Sequence, residues 1–155
     1  MNVGTAATAP ALAQRDGEPL AVVGTGSVVV ALDGSDGTDV WEEDADRVRG
    51  SPAIVDGTVI AGDTAGVVRC LSVGDGEPRW RRELPDGVHG APAVADESVH
   101  VGSRDSHLYA LSLTDGATAW SVELPDWVDG SPAVAHGAVF VVDQSGFLSV
   151  IVGDE

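Results

Sequence analysis

Short apolar runs alternate along the chain with turns rich in glycine and aspartate. In the clearest unit the runs cover residues 51–55, 58–62, 67–73 and 79–84. The pair Asp56-Gly57 stands between the first two runs and is a strong hairpin signal. This pattern predicts four short strands that form one antiparallel sheet.

The unit returns at a fixed interval. The segment G-[SA]-P-A begins at Gly50, Gly90 and Gly130, 40 residues apart each time. Such a period indicates repeated structural units. An N-terminal segment, residues 1–8, precedes four predicted units at about 9–44, 50–84, 90–124 and 130–155. The first unit has diverged and is expected to have a longer first turn at residues 15–19, and the last lacks a fourth strand.

The apolar runs carry hydrophobic residues at consecutive positions, so both faces of each sheet must be covered. Four-stranded sheets stacked face to face by radial repetition form a β-propeller, in which neighbouring blades bury one another. We therefore predict an all-β fold, a β-propeller of four-stranded antiparallel blades with about four blades, arranged as an open arc. A closed four-bladed ring, with residues 2–8 supplying the missing strand, is the alternative.

The charge of the chain is strongly acidic. Twenty-five acidic residues face eight basic ones, all of them Arg, which gives a net charge of -17. This composition resembles proteins of salt-loving archaea, since molar salt screens the repulsion between carboxylates within about 3 Å. Nucleic acid is a poor partner for such a surface. We expect the melting temperature, followed by circular dichroism, to rise strongly between roughly 0.1 and 2 M KCl.

Other features bear on the compartment. The one cysteine, Cys70, stands at a repeat position that is small and apolar in the other units, so we expect a buried thiol. No apolar run is long enough to span a membrane. Residues 1–14 lack the basic start and apolar run of a signal peptide, so the default expectation is a cytoplasmic protein.

A motif repeated three times carries a family resemblance. The pattern A-L-D-x-x-x-G-x-x-x-W ends at Trp41 and returns in closely related form at Trp80 and Trp120, in phase with G-[SA]-P-A. It resembles the tryptophan-docking repeat of pyrroloquinoline-quinone-type propellers. The resemblance implies a large ring, commonly of eight blades, with each tryptophan packed on the neighbouring blade. Either two copies of this chain would then complete one ring as a homodimer, or the chain is a fragment of a longer propeller.

The resemblance implies several competing activities. Some members are dehydrogenases that depend on pyrroloquinoline quinone and calcium, and others resemble the propeller that helps to assemble outer-membrane proteins. The dehydrogenases have a vicinal cysteine pair over the cofactor, whereas this chain has one cysteine. The favoured function is therefore a non-catalytic binding or scaffolding module without a cofactor. A subunit or remnant of a quinone-dependent dehydrogenase is the alternative.

Three other groups of residues contain the residue types of a catalytic or metal site, but their spacing does not match one. Residues 103–107, S-R-D-S-H, lie in one tight turn, where solvated side chains are expected rather than a catalytic triad. His100 and His107 provide only two zinc ligands. The acidic run at residues 42–46 does not match a calcium-binding loop. No metal site is predicted.

Comparison of the repeats with one another identifies candidate binding residues. Arg49, His89 and Asp129 precede the recurring glycine and differ in charge, so packing does not dictate them. They are predicted to lie nearest the central channel, on the end of the propeller where binding loops occur. Neighbouring variable positions on the same end are Trp127, Arg104 and Gln144. They could bind a protein or a small polar ligand at the channel mouth; tolerated surface variation is the alternative.

Overall fold

The computed structural model describes residues 7–153, which form four antiparallel sheets in succession along the chain. Three sheets have four strands, and the last has three within the described range. The strands of each sheet follow chain order, so hairpins make every connection within a sheet. The predicted all-β propeller fold is confirmed, and each sheet is called a blade below.

The strands have the following bounds. Blade 1 contains β1 (Ala11–Arg15), β2 (Glu18–Gly24), β3 (Val28–Asp33) and β4 (Asp39–Asp44). Blade 2 contains β5 (Ala53–Val55), β6 (Thr58–Gly62), β7 (Val67–Ser72) and β8 (Pro78–Glu83). Blade 3 contains β9 (Ala93–Ala95), β10 (Ser98–Gly102), β11 (His107–Ser112) and β12 (Thr118–Glu123). Blade 4 contains β13 (Ala133–Ala135), β14 (Ala138–Val142) and β15 (Leu148–Val152).

The first hairpin of each blade is closed by two residues with positive φ. In blade 2 these are Asp56 (φ 47°) and Gly57 (φ 72°), as the Asp-Gly pair predicts for a turn that follows the twist of the strands. The longer turn expected at residues 15–19 of blade 1 is wrong. The additional residues extend β1 and β2 instead and pair Arg15 with Glu18, so their backbone groups join the sheet ladder.

The apolar core lies between consecutive blades. Between blades 2 and 3, Ile60, Val68 and Trp80 pack in one buried cluster with Val99 and Leu111. Equivalent clusters join blades 1 and 2 and blades 3 and 4. Because each inner blade is covered on both sides, its strands are apolar on both faces.

The two end blades leave apolar side chains in solvent. Leu12 on blade 1 is 78% exposed, and on blade 4 Val150 and Val152 are 51% and 69% exposed. The corresponding side chain of blade 2, Ile54, packs against the core of the first junction. The arc is therefore open, and its end faces have the character of blade interfaces.

Candidate functional site

The segment that enters each blade lies beside the turn between the second and third strands of that blade. The amide of Thr64 donates to the carbonyl oxygen of Arg47 (3.0 Å), and the amide of Arg104 donates to that of Gly87 (2.9 Å). In blade 4 the amide of Gln144 donates to the carbonyl oxygen of Trp127 (2.7 Å). The variable residues of both segments thus share one end of the arc.

The recurring glycines hold these entry segments close together. A Cβ on Gly50 would lie 2.4 Å from the backbone of Gly90 and Ala91. A Cβ on Gly90 would lie 2.5 Å from the carbonyl oxygen of Gly130. Any larger residue would push neighbouring blades apart, because real Cβ atoms do not approach backbone so closely. The residues just before these glycines are consequently brought next to one another.

Arg104, Trp127 and Asp129 contact one another at this end. Arg104 donates through Nε and Nη2 to the two carboxylate oxygens of Asp129, at 2.9 Å each. Its Cζ lies 5.2 Å from the centre of the Trp127 ring, which is a cation–π contact. This bidentate salt bridge, chiefly through its hydrogen bonds, holds the pKa of Asp129 below its ordinary value. Trp127 remains 49% exposed.

Arg49 and His89 come from two neighbouring entry segments and contact each other. Nη1 of Arg49 lies 3.3 Å from Nδ1 of His89. Arginine can only donate, so Nδ1 accepts and the proton of the neutral imidazole is on Nε2. Burial, followed by the nearby Arg104, lowers the pKa of His89, so the ring is neutral at pH 7.

We call Arg49, His89, Arg104, Trp127 and Asp129 the end-face cluster. It contains two guanidinium groups and one carboxylate, and the nearby carboxylate of Asp86 offsets the remaining charge, so this end is far less acidic than the chain as a whole, whose net charge is -17. An open depression of about 200 Å³ lies at the same end, lined in part by Arg47 and Arg49. The cluster therefore offers N–H donors and an exposed aromatic ring, a combination suited to carboxylate or carbonyl oxygens.

Five of the six candidates from the sequence fall in this cluster. The sixth, Gln144, is exposed and touches the cluster through its backbone. The sequence analysis placed Arg104 at the correct end but did not predict its bidentate salt bridge with Asp129, 25 residues away. The salt bridge could have been predicted from the opposite charges of Arg104 and Asp129, which lie on adjoining loops.

The turn at residues 103–107 is not arranged as a triad. The hydroxyl of Ser103 is fully buried and donates to the carbonyl oxygen of Asp86 (3.0 Å). Nδ1 of His107 lies 3.0 Å from the backbone carbonyl oxygen of Asp105, and the carboxylate of Asp105 accepts from the hydroxyl of Tyr109. The expectation of solvated side chains is wrong for Ser103, because its hydroxyl satisfies a backbone group inside the fold.

Two of the repeated tryptophans lie against the following blade. Nε1 of Trp41 donates to the carbonyl oxygen of Val73 (2.9 Å), and Nε1 of Trp80 donates to that of Leu113 (2.8 Å). The ring of Trp80 packs so closely on Gly116 that a Cβ there would lie 2.5 Å from it.

Trp120 is different, because it is 36% exposed and lines a cleft between blades 3 and 4. The cleft has a volume of about 310 Å³ and includes His100, Ile151 and Gly153. By the 40-residue period, His100 replaces Ile60 and Gly153 replaces Leu113. Nδ1 of His100 is buried without a hydrogen-bond partner among the described residues, and burial lowers the pKa of this ring. The repeat comparison could have revealed this cleft, but the sequence analysis missed it.

Within residues 7–153, no group of three or more His, Cys, Asp or Glu side chains is arranged to hold a metal ion. Over the same residues, no helix is long and apolar enough to cross a membrane. The thiol of Cys70 is buried, and burial raises its pKa.

Comparison with protein families agrees with the geometry of the repeats. A family model described as outer membrane protein assembly factor BamB, a pyrroloquinoline-quinone-type repeat, matches residues 24–154. This chain belongs to that family. No curated protein matches the sequence at a significant level.

Solved structures with the same fold include one natural and two designed proteins. BamB from Moraxella catarrhalis is 26% identical, with a TM-score of 0.76 over 90% of this chain and 45% of that one. The designed protein Ika4 is 18% identical, with a TM-score of 0.84 over 98% of this chain and 94% of that one. The designed protein Ika8 is 17% identical, with a TM-score of 0.74 over 90% and 44%. The chain thus spans less than half the length of the Moraxella protein.

Proposed function

We propose that this chain is a non-catalytic protein-binding module of the BamB-type repeat family, and that the end-face cluster is its binding surface. The observation that carries the proposal is the pair of Trp127 and Arg104. The ring is half-exposed, and the guanidinium beside it is held by Asp129 at two points. Tryptophan and arginine side chains that are already ordered lose little entropy on binding and dominate many interfaces.

The partner should present carboxylate groups to this surface. Arg49 is exposed and uses one N–H toward His89, so its remaining donors face solvent. The rest of the chain is acidic and repels such a partner, which favours approach to the end-face cluster alone. The description of the family as an assembly factor for outer-membrane proteins is consistent with a protein partner.

We also propose that two copies of the chain form one ring. The exposed faces of blade 1 and blade 4 carry aliphatic side chains such as Leu12 and Val150. A second copy related by a twofold axis would cover both faces at once.

The binding proposal is tested by comparing variants in capture from an extract of the source cells, with captured proteins identified by mass spectrometry. Trp127→Ala and Arg104→Ala should remove the same captured proteins, while their melting temperatures stay close to that of the wild type. Arg79→Ala is the matched control, since Arg79 is an exposed arginine on the opposite end of its blade.

Identical capture by the wild type and the three variants would contradict the proposed surface.

A separate assay addresses the non-catalytic part of the proposal. Pyrroloquinoline quinone and calcium are added, and reduction of a redox dye is followed with alcohols and sugars as substrates. We expect no turnover, and calcium-dependent dye reduction would contradict the proposal.

A further inference from the structure

His89 is the one group of the end-face cluster whose side chain titrates between about pH 5 and 8. Its ring is partly buried, and Nδ1 lies 3.3 Å from Nη1 of Arg49, which is exposed. A Cβ on Gly87 would lie 3.2 Å from Nε2 of His89, so the absence of a side chain at Gly87 leaves room for the ring. The imidazole is thereby held beside a guanidinium group that a ligand can reach.

Four charged groups influence the ring of His89. Arg49 precedes β5, Asp86 precedes β9, Arg104 lies between β10 and β11, and Asp129 precedes β13. Arg104 and Asp129 largely neutralise each other, because they form a salt bridge. Within residues 7–153, no carboxylate lies within hydrogen-bond distance of the His89 ring. A proton on this ring therefore finds no carboxylate partner in the described part of the chain.

Protonation changes what the ring can bind. The neutral ring accepts from Arg49 through Nδ1, whereas the protonated ring donates from both nitrogens and cannot accept. Nδ1 and Nη1 would then be two positively charged donors 3.3 Å apart. A carboxylate between them satisfies both, because each of its oxygens accepts one charge-assisted hydrogen bond.

We propose that the end-face cluster binds a carboxylate of its partner between Arg49 and His89, and that His89 takes up a proton from solvent as this carboxylate binds. The proposal rests on the proposed function, since it specifies the group that the surface recognises. Asp129 does not supply this carboxylate, because both of its oxygens already accept from Arg104. The carboxylate therefore belongs to the ligand.

Binding should strengthen as the pH falls. Burial, followed by the nearby arginines, lowers the pKa of His89 in the free chain, whereas a bound carboxylate favours the charged ring and raises this pKa. Proton uptake and ligand binding are linked, so a rise of one pH unit in the pKa corresponds to tenfold tighter binding to the protonated protein. The carboxylate of the ligand, with a pKa of about 4, stays ionised at about pH 5.5.

The test follows the ring protons of His89 by nuclear magnetic resonance between about pH 8 and 5. The probe is N-acetylphenylalanine, which has one carboxylate and an apolar ring that suits the exposed Trp127. N-acetylphenylalanine amide is the matched ligand without the charge. At saturation the acid should raise the pKa of His89 by about one pH unit, and the amide should leave it unchanged.

Variants of the whole chain locate the effect. The wild type should bind the acid about tenfold more tightly at about pH 5.5 than at about pH 7.5, whereas His89→Gln should bind it equally at both. His107→Gln is the matched control and should keep the wild-type pH dependence, since His107 begins β11 at the same end but bonds within its own turn. Arg49→Gln should weaken binding about tenfold at both pH values. The melting temperature of each variant verifies its folding.

The outcomes separate this proposal from the proposed function. Saturable shifts of the end-face cluster resonances without a rise in the pKa of His89 would overturn the proton coupling and leave the cluster as a binding surface. Equal binding of the acid and the amide, or no saturable shift between about pH 8 and 5, would also overturn the proposal. The capture comparison with Trp127→Ala and Arg104→Ala tests the proposed function independently, because it does not involve His89.

Discussion

The junction between blades 2 and 3 and the junction between blades 3 and 4 use the same framework and reach different outcomes. At the first, Trp80 is 8% exposed, beside the buried Ile60, and donates to Leu113. At the second, Trp120 is 36% exposed, and its ring centre lies 5.7 Å from that of His100. Two changes within the repeat, an imidazole for an aliphatic side chain and Gly153 for Leu113, accompany a cleft in place of a closed core.

The comparison separates what makes a blade from what makes an interface. Both junctions retain the close approach of Gly50 to Gly90 and of Gly90 to Gly130. The inner backbone contact thus persists where the outer side-chain packing does not. Packing of the outer region can change from junction to junction without loss of the arc.

The largest expected effect comes from the tryptophans. Trp80→Ala should reduce the free energy of unfolding by about 3–5 kcal/mol, because it empties a closed core. Trp120→Ala should cost less than half as much, since its ring already contacts solvent, and the half-exposed Trp127→Ala less still. Urea denaturation followed by circular dichroism measures all three. Equal losses for Trp80 and Trp120 would show that the two junctions are energetically alike.

An intermediate effect is expected at the inner contact that both junctions share. Gly90→Ala should cost about 1–3 kcal/mol, because the added methyl group meets the backbone of Gly130 and neighbouring blades must separate. Gly26→Ala is the control, since nothing lies within 4 Å of a Cβ there. The same denaturation measurement applies. A neutral Gly90→Ala would mean that the entry segments are not held in close contact.

The smallest effect concerns His100. Burial lowers its pKa, so as pH falls below about 6.5 the unfolded chain takes up the proton first and stability is lost. His100→Ile should add about 1 kcal/mol at pH 7.5, because a buried unpaired nitrogen is removed. It should also reduce the fall in melting temperature between pH 7.5 and about 5.5. An unchanged pH dependence would indicate that His100 is accessible to protons in the folded chain.

Much of the fold could be predicted because the same pattern of strands and turns occurs in three successive units of the sequence. The Asp56-Gly57 turn, the apolar runs and the G-[SA]-P-A spacing each depend on local chemistry, and the structure agrees with them. The first hairpin was harder, because Asp16 and Gly17 form a two-residue turn there as in the other blades, while the flanking Arg15, Glu18 and Pro19 pair as strand ends. The ladder hydrogen bonds of these flanking residues shorten the turn to two residues.

The candidate site was predictable in position but not in its contacts. Comparison of the repeats selected Arg49, His89 and Asp129 because framework packing does not explain them. The bidentate salt bridge between Arg104 and Asp129 depends on how two loops approach each other in space, which a repeat pattern does not specify. The Trp120 cleft could have been predicted only from core positions that deviate from the repeat, and His100 is such a position.

Sedimentation equilibrium in about 2 M KCl tests most directly the claim that the arc has two uncovered blade faces. The account predicts a particle of twice 15.8 kDa, reduced to a monomer by Leu12→Asp or Val150→Asp, since a buried carboxylate opposes closure of the ring. A compact monomer of 15.8 kDa with a closed outline in X-ray scattering would contradict it.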